Sequence, residues 1–160
     1  MKFAVIGNPI DKSLSPQLHK ILYEKLNILN CSFEKIHLEN EQLDDFFKND
    51  FGLFNGINVT IPFKSSVVKF LDAIDDEAKI LDNVNCISKS NNMICGFNTD
   101  KYGFDMLLNE NGIDIDGISC VVLGAGSSAK TVVKCLIDKG IGRIIITVSY
   151  THLRAHETDT

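Results

Sequence analysis

The segment Asn58-Val59-Thr60-Ile61-Pro62-Phe63-Lys64 sets an amine just beyond a β-branched run. Gly56 and Pro62 bracket that run. Proline has no N–H for a ladder, so the strand is expected to stop there, with Lys64 past its carboxyl end. Ligands of open α/β sheets collect at that end of the strands. Asn58 and Thr60 alternate with Val59 and Ile61, which gives one strand face its hydrogen-bonding groups. An ordinary strand followed by a surface lysine is the competing reading of this segment alone.

Polar residues stand at two other turns. In Asp11-Lys12-Ser13-Leu14-Ser15-Pro16, Ser15 is a good N-cap and Pro16 a good first helical residue. Ser13 and Ser15 then sit at a helix N-terminus, where free N–H groups and the helix dipole favour an anion. Capping by Ser15 needs no ligand, but it leaves Ser13 without a role. In Gly96-Phe97-Asn98-Thr99-Asp100, Asp100 is placed to cap the next helix, and capping competes with a role in a site. Farther on, Gly124-Ala125-Gly126-Ser127-Ser128-Ala129 follows an apolar strand and opens a helix. G-x-G-x-x-A in that context is a dinucleotide-binding fingerprint, with a Gly-rich turn lacking a cofactor as the alternative. The ribose-selecting residue belongs near the end of the next strand, and Thr147-Val148-Ser149-Tyr150 offers none.

The elements that must position these groups follow from periodicity. Lys2–Ile6 reads as a strand. Leu18, Ile21, Leu22, Leu26 and Leu29 recur at helical spacing, so one face of that helix is expected to be buried. Residues 32–38 read as a strand, 41–48 as a helix with Leu43, Phe46 and Phe47 inward, and 56–61 as the strand leading to Lys64. Alternating strands and helices predict a mostly parallel α/β sheet. Short helices are expected over 65–71 and 75–81. A hairpin is expected around Lys89-Ser90-Asn91-Asn92, and a helix through Phe104, Leu107 and Leu108 ending at Asn111-Gly112. A second unit runs strand, Gly-rich turn, helix, strand from Ile118 to Ile146.

With 160 residues, 44% of them hydrophobic, the chain can bury a core. A net charge of −5 argues against a nucleic-acid or anionic-membrane partner while leaving room for a local anion pocket. The five cysteines form no CxxC pair, and the N-terminus has no signal-like apolar stretch, so reduced thiols in a cytoplasm are expected and a metal is not.

Taken together in order, these segments resemble the shikimate dehydrogenase family over nearly all of residues 1–147. Gly7-Asn8-Pro9-Ile10 through Pro16 and His19 is similar to the family's carboxylate-binding segment. Asn58–Lys64 resembles its catalytic-lysine strand, Val84-Asn85 and Asn98-Thr99-Asp100 its other substrate segments, and Gly124-Ala125-Gly126 its NADP-binding turn. The resemblance implies an α/β substrate and catalytic domain over 1–101, then an incomplete Rossmann-type domain over 102–160. It implies reversible, NADPH-dependent reduction of 3-dehydroshikimate to shikimate, on the route to chorismate and the aromatic amino acids. Lys64 and Asp100 would be catalytic. Ser13 and Ser15 would hold the substrate carboxylate, and Thr60, Asn85 and Asp100 its ring hydroxyls, with Asn58 in support. Gly124, Ala125, Gly126, Ser127 and Ser128 would hold the cofactor, and a small-molecule substrate and a homodimer are the partners it implies.

Several positions depart from the family pattern. Lys12 stands for a His, Lys20 for an Asn, Asp82-Asn83 for Gly-Ala, and Cys86 for a Thr. An Asn-Arg-Thr segment after the second cofactor-domain strand and a later helix supplying a Gln do not occur in these residues. Competing readings are a quinate/shikimate enzyme using NAD, a substrate-binding fragment without catalysis, and a folate-linked dehydrogenase. From Val148 the composition changes, with no Ile, Asn or Lys to the end. Val148–Thr158 resembles a translated sequencing adaptor. Residues from about 148 are therefore expected to be non-native and the natural protein longer. His152 and His156, though spaced like metal ligands, are discounted because the order is not H-E-x-x-H.

Overall fold

A computed structural model describes residues 1–148. Apart from Val148, the tail expected to be foreign, with His152 and His156, lies outside the described residues. The chain forms one compact unit over Met1–Tyr102 and a second from Gly103 onward.

In the first unit, β1 (Lys2–Gly7), β2 (Ser32–His37) and β3 (Gly56–Val59) pair in parallel within a six-stranded sheet, with α1 (Ser15–Lys25) connecting β1 to β2. Between β2 and β3 lies one irregular helical stretch. It runs through a 3-10 turn (Asn40–Gln42), α2 (Leu43–Asp45), a π turn (Phe46–Asp50) and a second 3-10 turn (Phe51–Leu53). A 3-10 helix (Ser66–Phe70), β4 (Ala73–Ile74) and α3 (Asp76–Leu81) follow. The hairpin of β5 (Cys86–Ser90) and β6 (Met93–Phe97) completes the sheet, in the order β2-β1-β3-β5-β6-β4. Only the β3–β5 and β5–β6 pairings are antiparallel. Asn91 and Asn92 both take positive φ, 49° and 62°, the geometry a two-residue hairpin turn requires.

The core of this unit sits on the sheet around Ala4, Ile6, Ile57 and Val59, covered by Leu43, Phe46, Phe51 and Phe63. Phe47 is only partly buried and stacks on Phe70 at 4.2 Å between ring centroids. Asp75 caps α3 by accepting the N–H of Ala78 at 2.9 Å.

Three local expectations need correction. The strand before Lys64 ends at Val59, so Thr60 and Ile61 lie beyond it. The N–H of Thr60 still reaches the carbonyl of Ile6, and the N–H of Phe63 then closes a turn onto the carbonyl of Thr60. Ser15 is the first residue of α1 and Leu14 its N-cap, with no side-chain cap, because Leu14 already has helical φ and ψ. The apolar face of α1 is not buried: Leu18, Ile21, Leu22 and Leu26 are 40–63% exposed. The helix rests on the sheet through His19, stacked on Phe33 at 3.9 Å, and through Tyr23 against Phe3. Spacing identifies an amphipathic helix, but not whether anything covers it.

Helix α4 (Asp100–Glu110) leads into the second unit, where β7 (Ser119–Leu123), α5 (Ser127–Asp138) and β8 (Arg143–Thr147) form a right-sized strand–helix–strand unit with β7 and β8 parallel. Its small core gathers Leu108, Ile115 and Leu136 with Phe104, Val122 and Ile144. Val121 and Leu123 on β7 stay more than half exposed. No helix among the described residues is long and apolar enough to cross a membrane.

Candidate active site

One cavity of about 370 Å³ in the first unit collects every residue the sequence singled out for substrate or catalysis: Ser13, Ser15, Asn58, Thr60, Lys64, Asn85 and Asp100. Val5, Pro9, Ile10, Val59 and Ile61 complete its walls. It opens at the carboxyl ends of β1 and β3, where the parallel strands release the chain into turns. A larger hollow of about 630 Å³ beside α1 has a mainly apolar lining, and none of the expected site residues faces it.

Lys64 is the buried charge of this cavity, 8% exposed. Its ammonium donates to Oδ2 of Asp100 at 2.5 Å. Taking an ammonium out of water is costly unless it is paired and hydrogen-bonded, and Asp100 meets that need. The other carboxylate oxygen, Oδ1, accepts from Nδ2 of Asn85 at 2.6 Å. The same Nδ2 donates to the Thr99 hydroxyl at 2.9 Å, while Oδ1 of Asn85 accepts the backbone N–H of Thr99. Lys64 itself is fixed from behind, because its carbonyl accepts the N–H of Val84.

Asp100 is not the cap of α4. It is the helix's first residue, and Oδ1 of Asn98 accepts the N–H groups of Asp100 and Lys101 at 3.1 and 3.3 Å. The carboxylate is thereby free for Lys64, and its place in the first turn suits the helix dipole.

At the start of α1 the two serine hydroxyls lie together. Oγ of Ser13 donates to Oγ of Ser15 at 3.2 Å and accepts the Ser15 N–H at 3.3 Å. Ser13 thus holds the first N–H of α1, a bond distinct from an N-cap. Two hydroxyls beside a helix N-terminus can both donate to one carboxylate. Gly7 lets the Thr60–Ile61 turn approach β1, since a Cβ there would meet Cγ2 of Thr60 at 2.4 Å.

In the second unit, the turn after β7 has the shape of an anion cradle. Gly124 takes φ +106°, and its N–H is held by the carbonyl of Thr147. Gly126 is the N-cap of α5, and a Cβ at Gly124 or Gly126 would meet nothing within 4 Å. Ala125, Ser127 and Ser128 complete the turn. The open space and the helix N-terminus fit a phosphate group.

A family model described as the shikimate dehydrogenase substrate binding domain matches residues 5–87. The chain belongs to the shikimate dehydrogenase family. A shikimate dehydrogenase (NADP(+)) of Clostridium beijerinckii is 39% identical over 145 residues, 90% of this chain and 53% of that protein. One from Pelagibacter ubique is 36% identical, over 97% of this chain and 58% of its own length. Among solved structures, shikimate dehydrogenase 1 of Peptoclostridium difficile superposes with a TM-score of 0.86 at 32% identity, covering 99% of this chain and 57% of that one. The Thermus thermophilus enzyme, solved in complex with NADP(H) and shikimate, gives 0.83 at 33% identity, over 91% of this chain and 56% of its own. The chain spans about half the length of the curated relatives it matches.

Within this family member, Cys86 starts β5 opposite Asn58, and burial pushes its thiol pKa up. The bonds to Thr99 and Asp100 come from Asn85, so the weak hydrogen-bonding of a thiol does not disturb them. Asn98 lies in the Asn98-Thr99-Asp100 motif, where its residue type alone does not name its task. An Asn placed two residues before a helix start is the signal that could have revealed it.

Proposed function

We propose that this protein is an NADP-dependent shikimate dehydrogenase that interconverts 3-dehydroshikimate and shikimate, a step of chorismate and aromatic amino acid biosynthesis. The observation that carries the reading is the pairing of buried Lys64 with half-buried Asp100 in a cavity that also holds Ser13, Ser15, Thr60 and Asn85. The first unit is the substrate and catalytic domain, and the second contributes the cofactor turn.

Ser13 and Ser15 bind the substrate carboxylate through their hydroxyls. Thr60, Asn85 and Asp100 take the ring hydroxyls, and Asn58 supports them. A site that hydrogen-bonds each hydroxyl rejects analogues lacking one. Reduced NADP, when bound, would supply the hydride that turns the ketone carbon into an alcohol carbon. Lys64 donates a proton from its ammonium to the ketone oxygen as charge builds there, and takes it back in the reverse direction. Asp100 orients the ammonium. Gly124, Ala125, Gly126, Ser127 and Ser128 hold the cofactor pyrophosphate. Five free thiols in this chain support a cytoplasmic setting, and the net charge of −5 supports the absence of a nucleic-acid partner.

The test is NADP reduction by shikimate in the full natural chain, alongside quinate and NAD. Shikimate-dependent NADPH formation is expected. Turnover with quinate and NAD but not with shikimate and NADP would overturn the reading.

A further inference from the structure

We propose that Asn98 is a positioning residue, which ties the two halves of the Lys64–Asp100 pair to one segment of chain. The inference rests on the catalytic reading of that pair. Asn98 is 6% exposed and does not line the cavity. Its carboxamide uses both ends. Oδ1 accepts the N–H groups of Asp100 and Lys101, and Nδ2 donates to the carbonyl of Asn83 at 2.8 Å. The neighbouring Val84 N–H holds the carbonyl of Lys64 at 2.9 Å.

Asn83 and Val84 are therefore a bracket. Lys64 hangs from Val84, and the start of α4, with Asp100, hangs from Asn83 through Asn98. Capping alone explains neither the burial nor the second bond. Asp could cap but has no donor for Asn83 when ionised, and Ser has one short oxygen for three partners. The short amide carries both a donor and an acceptor with two lone pairs at this reach. If Asn98 sets where Asp100 sits against the ammonium, its loss acts on turnover through Asp100.

A double-mutant cycle on the full natural chain tests this, reading kcat and KM for shikimate with NADP. Asn98→Ala is expected to lower kcat on the order of 10–10²-fold, since small misplacements of reacting groups cost that much, and any rise in KM should be shared by Asp100→Asn, which touches the same ring hydroxyl. In an Asp100→Asn background the same change is expected to add less than about twofold, because the group it positions is already gone. Equal proportional losses in both backgrounds would overturn the inference while leaving the shikimate reading standing. Absence of shikimate turnover in the wild type would overturn that reading, and the inference with it. Should Asn98→Ala fail to fold, Asn98→Asp keeps the two N–H acceptors and loses the donor to Asn83. It is run through the same cycle with the same criteria.

Discussion

The Lys64 ammonium meets Oδ2 of Asp100 at 2.5 Å across 36 positions of sequence. Lys64 leaves the sheet just after β3, and Asp100 begins α4 after the hairpin. The hairpin places β5 beside β3, so Asn85, at the head of β5, faces both Thr99 and Asp100. A buried lysine thus has one carboxylate partner, itself held at both oxygens.

Removing either member of that pair should strike turnover. Lys64→Ala in the full natural chain is expected to lower kcat by roughly 10²–10⁴-fold, the usual worth of general acid–base help. Shikimate affinity, measured by calorimetry, should change far less. Near-normal turnover in this variant would remove Lys64 from the mechanism.

The serine pair should act on binding. A hydrogen bond to a charged group is worth about 1.5–3 kcal/mol. Ser13→Ala or Ser15→Ala is therefore expected to raise KM for shikimate by roughly 10–150-fold, with kcat moving less. A substrate analogue without the carboxylate should not feel the change. Equal losses for both substrates would place the carboxylate elsewhere.

Gly7 governs packing at the mouth of the site. The added Cβ of Gly7→Ala would meet Cγ2 of Thr60 at 2.4 Å and the carbonyl oxygen of Ile61 at 3.0 Å. A destabilisation of about 1–3 kcal/mol is expected, as for other overpacked sites. Urea unfolding measures it, and an unchanged midpoint would mean the turn yields freely.

His19 should make stability pH-dependent. Burial against Phe33 lowers its pKa below the ordinary 6.5. The folded state then disfavours the charged ring. Its contribution is intact above pH 6.5 and is lost as pH falls through that value toward the lowered one. Comparing Tm against pH for the wild type and His19→Gln isolates it. The difference between the two curves should shrink on acidification.

Cys86 should be a slow thiol. Burial raises its pKa, so less thiolate is present at neutral pH than in an ordinary cysteine. Timed alkylation read by mass spectrometry should label Cys86 later in the native protein than in urea. Equal rates would show that β5 opens readily.

Local sequence determined a good deal here. β-branched runs, turn residues and helical spacing mark β1, α1, β2, the β5–β6 hairpin and the β7–α5–β8 unit. The ordered motifs around Ser13, Lys64, Asn85, Asp100 and Gly124 carry the family likeness. These are signals of period and of turn chemistry, which act between neighbours in the chain. Tertiary structure alone decided the rest. The leucines of α1 have the spacing of a buried face, yet they stand exposed, because periodicity does not say what packs against it. Ser15 and Asp100 are both residue types that cap, yet Leu14 is the N-cap of α1 and Asn98 holds the N–H groups that open α4, because backbone angles and the reach of a neighbouring amide settle that role. The Lys64–Asp100 contact itself depends on which strands lie side by side. Sheet order is set by long-range burial and ladder bonds, which no short stretch of sequence contains.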